Sequence, residues 1–250
     1  MNDLDLLVRL YITQLRQGPG GNEETLLAAK LAKLEETEPL NIADIGCGTG
    51  SSTIALAKKF NCSIQAIDFL PEFINELKVR ATQEGVLNKI TPIVGNMEEL
   101  PLESESLDVL WAEGAIYNIG FEKGISEWRK YLKPGGKLVV SELTWLTEKR
   151  PEKITTHWEK EYPEVSTASK KIAQLEKHNY KLLGYFPLNE NCWMKNYYEP
   201  LQARFESFLE ENSDKSTAAK ELVKENQLEV ELYKTYKEFF SYGVYISEKL

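Results

Sequence analysis

The chain has 250 residues, enough to bury a full core in one α/β unit and too few for two large domains. With 39 acidic against 30 basic residues its formal charge is −9, which disfavours loose electrostatic attachment to nucleic acid or anionic lipid and favours a small-molecule partner. Asp3 and Asp5 break the apolar N-terminus, so a signal-peptide pattern is missing, and no run approaches the roughly 20 apolar residues of a membrane span; the expected compartment is the cytoplasm.

In chain order, Arg16-Gln17-Gly18-Pro19-Gly20-Gly21 precedes a helical pattern, and Asn41 to Ile45 reads as the first strand. That strand carries Asp44 near its end and runs into Gly46-Cys47-Gly48-Thr49-Gly50, a loop that lets the backbone turn sharply and approach a ligand without a Cβ in the way. The spacing is not that of the dinucleotide fingerprint, whose third glycine would fall at Ser51. Further strands are expected at Ser63 to Asp68, Thr91 to Gly95, Leu107 to Glu113 and Lys137 to Glu142. Phe121, Ile125, Trp128 and Leu132 share one helical face, and Lys133-Pro134-Gly135-Gly136 ends that helix. Strands alternating with helices predict a doubly wound, mostly parallel sheet with a ligand at its carboxyl edge, near the Asp44 loop.

After Trp145 the pattern changes. Thr147 to Ser169, charged and holding Pro151 and Pro163, reads as a short helical excursion; Tyr180 to Leu188 and Tyr242 to Ser247 read as strands around a long helical region from about Glu199 to Phe239. Cys47, Cys62 and Cys192 are odd in number and scattered, which fits reduced thiols and gives no metal-ligand pairing.

Four segments occur in an order that resembles the class I S-adenosylmethionine-dependent methyltransferases over roughly residues 10 to 145. They are Asp44 to Gly50 as D-x-G-x-G-x-G, Ile64 to Phe69 with its terminal acid Asp68, Gly95-Asn96-Met97-Glu98-Glu99-Leu100-Pro101, and Leu107 to Tyr117. The third departs from the family's G-D-A-x-x-L-P by placing Asn96 at the acidic position, where an amide oxygen can still accept from an amine. Arg16 to Gly21, Tyr117-Asn118-Ile119-Gly120 and Glu127 to Leu132 further resemble a bacterial small-molecule subgroup related to the ubiquinone and menaquinone methylases. The resemblance implies a Rossmann-like α/β fold: a seven-stranded sheet with a C-terminal antiparallel strand and a helical cap. It also implies one domain over residues 1–250, with N-terminal helices over the cofactor at 1–40, a cofactor-binding core at 41–145, and cap helices with closing strands at 146–250.

By the same resemblance, the donor is S-adenosylmethionine and the product S-adenosylhomocysteine. Asp44, Gly46, Cys47, Gly48 and Gly50 form the cofactor loop; Tyr11, Arg16 and Gly20 approach the methionine half; Asn96 and Met97 meet the adenine; and Glu113 and Tyr117 lie near the sulfonium or the acceptor. A carboxylate at Asp68 can accept from both ribose hydroxyls, and Phe69 and Leu70 can flank the adenine. Methyl transfer gains much of its rate from holding two reactants in line, so a strong protein nucleophile is unnecessary. Where a base is needed, Glu113, Tyr117 and His157 are the candidates. Trp193, Tyr197 and Tyr198, in the aromatic run from Asn191 to Pro200, are expected to wall the acceptor pocket. The acceptor atom (O, N, S or C) and the oligomeric state stay open, and a non-catalytic cofactor-binding or sensor protein on the same fold is the alternative.

Overall fold

Alternating strands and helices build a single sheet in the computed structural model, which describes residues 3–213 and 216–250. Two helices, α1 (Asp3–Tyr11) and α2 (Asn22–Leu31), precede the alternation. Then follow β1 (Leu40–Ile45), α3 (Ser51–Lys59), β2 (Cys62–Asp68), α4 (Pro71–Gln83) and β3 (Ile90–Val94). The chain continues with β4 (Leu107–Glu113), α5 (Phe121–Trp128), β5 (Leu132–Trp145), α6 (Glu152–Glu161), β6 (Ser166–Thr167), α7 (Ala168–Lys177) and β7 (Tyr180–Pro187). Next, α8 (Glu190–Trp193) passes through a π-helical turn at Met194–Tyr198 into α9 (Glu199–Glu211); α10 (Ser216–Tyr236) and β8 (Phe240–Lys249) follow.

The strand order is β3-β2-β1-β4-β5-β8-β7, with the two-residue β6 pairing β5. The expected seven strands therefore gain an eighth short one. All these pairings are parallel except those of β8, which runs antiparallel to both β5 and β7. Helices cover both faces, which is why the central strands are apolar on both sides, with Val109, Leu110 and Ala112 of β4 all fully buried. One face packs α1 to α4 and the C-terminal helices, through Leu10, Leu56, Leu77 and Phe208. The other packs α5 and α7, through Phe121, Ile125, Trp128 and Leu175. Across that second face a buried cation joins α7 to β5, with Lys171 Nζ 3.8 Å from Glu142 Oε1.

One helical expectation changes. Leu132 leaves the helix: α5 stops at Trp128, a 3₁₀ turn spans Arg129–Tyr131, and Leu132 opens β5 opposite Leu107 of β4. The pairing with β4 overrides a helical spacing that Leu132 satisfies by chance. The helical region expected from about Glu199 to Phe239 holds α9 and α10, and residues 214–215 within it lie outside the described residues. Among the described residues no helix is long and apolar enough to cross a membrane.

Candidate active site

Strand order reverses at β1, which lies between β2 and β4. At such a switch point the loops leave the sheet in opposite directions and open a crevice. A cavity of about 680 Å³ occupies it, bounded by Gly46 and Gly48 after β1, Asp68 to Leu70 after β2, Asn96 to Glu98 beyond β3 and Glu113 after β4.

The loop after β1 is held from below, since the Gly46 and Cys47 amides both donate to Ile67 O, at 2.8 and 3.1 Å. Its glycines are required by packing as well as by turn geometry. Gly46 and Gly50 have φ of +70° and +92°, and a Cβ there would sit 2.3 Å from Ala115 Cβ and 2.0 Å from Leu77 Cδ1. A Cβ on Gly48 would meet Gln17 Oε1 at 2.3 Å, so the loop forms a cradle that side chains would fill. Gln17 also clamps the loop to the N-terminal segment, accepting from Thr49 N at 3.0 Å and donating to Thr49 Oγ1 at 3.0 Å. Cys47 is buried in the loop, and burial pushes its thiol well above its usual range.

Asp44 is fully buried beneath the loop and outside the cavity wall. Its Oδ2 receives Ser52 Oγ at 2.8 Å and Thr53 Oγ1 at 2.6 Å, while Oδ1 has no partner. Burial raises its carboxyl to about 7. Between the ordinary carboxyl range and pH 7 the folded chain therefore keeps a proton that the unfolded chain has released. Asp44 thus lowers stability as pH rises through that window, by at most about 1.4 kcal/mol per pH unit. Urea unfolding of the ligand-free protein at pH 5.5, 6.5 and 7.5 should show a steeper decline for the native chain than for Asp44→Asn; equal slopes would contradict this.

Asp68 lies in the cavity wall and organises both sides of it, its Oδ2 accepting from Gly48 N at 2.8 Å and its Oδ1 from Leu70 N at 2.9 Å. Phe69 is 64% exposed at the mouth and Leu70 lines the wall beside it. Asn96 Oδ1 accepts from Glu98 N at 3.0 Å, fixing the turn after β3, and Met97 O accepts from Trp128 Nε1 at 3.1 Å.

Glu113, a candidate base, has both oxygens occupied. Arg16 Nη1 reaches Oε2 at 2.7 Å, while Thr25 Oγ1 and Trp111 Nε1 reach Oε1 at 2.6 and 3.0 Å. A carboxylate so engaged serves as an anchor, tying the segment before α2 to the end of β4. Gly20 lies behind that anchor, outside the main cavity, its amide donating to Cys192 O at 3.3 Å and its carbonyl accepting from Asn196 Nδ2 at 2.8 Å. Tyr11 does reach the wall, donating to Asn226 Oδ1 at 2.6 Å with its hydroxyl 3.3 Å from that of Tyr197.

On the side facing the cap, Tyr117 and Tyr197 are in the wall; Tyr117 packs edge-on against Tyr162 at 6.3 Å. His157 is not. The turn of α6 aims Trp158, Glu161 and Tyr162 at the cavity, while His157 packs edge-on against Trp158 at 4.8 Å. Trp193 and Tyr198 are also outside the wall. Trp193 is 1% exposed, stacks on Tyr233 at 4.6 Å and donates to Ser241 Oγ at 2.9 Å; Tyr198 donates to Glu229 Oε1 at 2.8 Å. The π-helical turn rotates the run so that Tyr197 faces the cavity and its neighbours face the core. Wall residues that sequence reasoning did not pick out include Gln17, Trp158, Tyr162, Glu229 and Tyr242. Gln17 stood inside a recognised motif; the other four come from distant segments whose meeting no local pattern signals. Among the described residues no group of three or more His, Cys, Asp or Glu side chains could hold a metal ion.

Sheet order, glycine cradle and acid-terminated strands make up the arrangement that the resemblance to class I S-adenosylmethionine-dependent methyltransferases implies, and the comparisons with known proteins agree with it in fold. Residues 42–136 match a family described as "Methyltransferase domain". An uncharacterized protein of Haemophilus influenzae is 29% identical over 142 residues, 56% of this chain and 55% of that one. The ubiquinone/menaquinone biosynthesis C-methyltransferase of Geobacter sp. is 32% identical over 106 residues, 41% of this chain and 45% of that one. The chain thus spans about half the length of these relatives. Over the whole fold, the solved S-adenosylmethionine-dependent methyltransferase of Geobacter sulfurreducens, in complex with S-adenosyl-L-homocysteine, superposes with a TM-score of 0.85 at 19% identity, covering 98% of each chain.

Proposed function

We propose that the protein transfers the methyl group of S-adenosylmethionine to a small-molecule acceptor and releases S-adenosylhomocysteine. The observation that carries this reading is the continuity of the cavity. It runs from the glycine cradle and Asp68 to an aromatic wall of Tyr117, Tyr162, Tyr197 and Tyr242, and its volume lies in the range of small-molecule sites. The cofactor, when bound, supplies an electrophilic methyl on a sulfonium. In this reading Asp68 holds the ribose, Phe69, Leu70, Asn96 and Met97 surround the adenine, and the amides around Gly46 meet the methionine half. Tyr11 and Arg16 close over that half from the N-terminal segment. The aromatic faces exclude water and favour a nearby cation. Tyr117, whose hydroxyl is raised by burial, acts as a neutral wall residue at neutral pH. The whole of 1–250 works as one unit, because 1–40 and the segments after 146 both contribute wall residues.

A cleft of small-molecule size on a chain of net charge −9 supports a small molecule over nucleic acid as partner. Three unpaired thiols support a reducing, cytoplasmic compartment. Titration calorimetry with S-adenosylmethionine and S-adenosylhomocysteine tests the binding half, and methyl-labelled donor incubated with pooled metabolites tests the transfer. Binding of both ligands with a labelled product is the expected result. Folded protein that binds neither would refute the reading, and binding without any labelled product would favour a cofactor sensor.

A further inference from the structure

The charges around the cavity are unevenly compensated. Arg16 is the one basic side chain among the described wall residues, and it is spent on Glu113 at 2.7 Å. The acids are accounted for except one. Glu98 pairs with Lys123 at 2.6 Å, Glu161 with Lys160 at 2.8 Å, and Asp68 accepts two backbone amides. Glu229 of α10 has no cation within ion-pair distance among the described residues. Its Oε1 accepts from Tyr198, and no described donor reaches Oε2. Around it in the cavity stand the rings of Tyr11, Tyr117, Tyr197 and Tyr242.

We infer that the acceptor end of the cavity is built for a cationic amine, with the Glu229 carboxylate as its counter-ion and the tyrosine rings as its walls. This rests on the methyl-transfer reading above and narrows its substrate class. An anionic acceptor, such as a carboxylate or phosphate ester, would find no free cation among the described wall residues and a carboxylate without a counter-ion facing it. An ammonium finds a charge partner at Oε2 and electron-rich ring faces, the environment that recognises ammonium ligands in water-poor sites. Burial raises the Glu229 carboxyl, so it is suited to receive a proton as well as to pair with one. The docked ammonium gives one proton to Oε2; the freed nitrogen lone pair forms the N–C bond to the methyl carbon as the C–S bond breaks, its electron pair staying on sulfur. The product leaves as a methylated ammonium and a neutral thioether.

The test uses the full chain saturated with S-adenosylhomocysteine, titrated by calorimetry with butylammonium, butyrate and butyl phosphate. Butylammonium should bind at least about tenfold tighter than either anion. Glu229→Gln should remove about that preference while leaving S-adenosylhomocysteine affinity within about twofold, and Glu229→Lys should reverse the ranking towards butyrate. Either anion binding as tightly as butylammonium, or none of the three binding, would overturn the inference. A Glu229→Gln variant that weakens S-adenosylhomocysteine as much as butylammonium would overturn it too, since the carboxylate would then serve the cofactor's own amino group. Should either variant fail to fold, the ranking on the unmodified chain still decides. Failure to bind S-adenosylhomocysteine at all is a different outcome, which strikes the methyl-transfer reading itself.

Discussion

Asp68→Asn should weaken S-adenosylmethionine binding by roughly 10- to 100-fold in titration calorimetry. A carboxylate at the end of β2 can give one oxygen to each ribose hydroxyl, and hydrogen bonds to a charged group are worth about 1.5–3 kcal/mol each. Every 1.4 kcal/mol is a factor of about ten. The loss has a second source. Asp68 already bonds Gly48 N and Leu70 N, so it holds the glycine cradle and the turn after β2 in register, and the amide puts an NH₂ against one of those donors. A thermal midpoint measured alongside separates the two, because loosening of the loops lowers stability whereas a lost ribose contact does not. Unchanged affinity would remove Asp68 from the cofactor site.

The largest effect on stability is expected at Trp193. Trp193→Ala should cost about 3–5 kcal/mol in urea unfolding, the range for emptying a large buried aromatic site. The indole is 1% exposed and touches the rings of Tyr198, Tyr233, Phe240 and Tyr242, so its loss leaves a void lined by side chains fixed on three separate segments. It also removes the donor to Ser241 Oγ, which itself donates to Leu188 O, so a buried relay between the end of β7 and the start of β8 is broken. Cofactor affinity of the folded fraction should hold. A variant of normal stability with altered acceptor kinetics would instead place Trp193 in the pocket.

These two residues mark what the sequence disclosed and what it withheld. Asp68 was legible because a strand pattern ending in an acid, in register with a glycine loop one strand earlier, is a local signal with one geometric outcome. β4 was found at Leu107–Glu113 for the same reason, its apolar run bounded by polar residues. Trp193 was misplaced because the π-helical turn after it adds a residue to the helical count and swings Tyr197, not Trp193 or Tyr198, to the cavity. His157 was misplaced by a smaller rotation, one residue along α6 from Trp158. Glu113 was found at the right strand end, but its partners Arg16 and Thr25 come from segments a strand pattern does not connect. Glu229 sat in a charged helix where nothing local separates a cavity carboxylate from a solvated one.

The insertion of β8 between β5 and β7 also governs the order in which the chain can acquire its structure. During synthesis β7 is made with no strand to pair with, since its one neighbour, Phe240–Lys249, is translated later. At ribosomal rates the intervening stretch takes roughly 3–10 s, far longer than a helix or hairpin needs to form. Through that interval β5 offers an unpaired edge, and β7 is held by packing against α2 and α7 without a strand beside it. The β1–β5 part of the sheet can assemble early, while β7 waits for the last strand to slide in between it and β5. Stalled or shortened chains would therefore expose a ready template for strand addition and depend on chaperone protection.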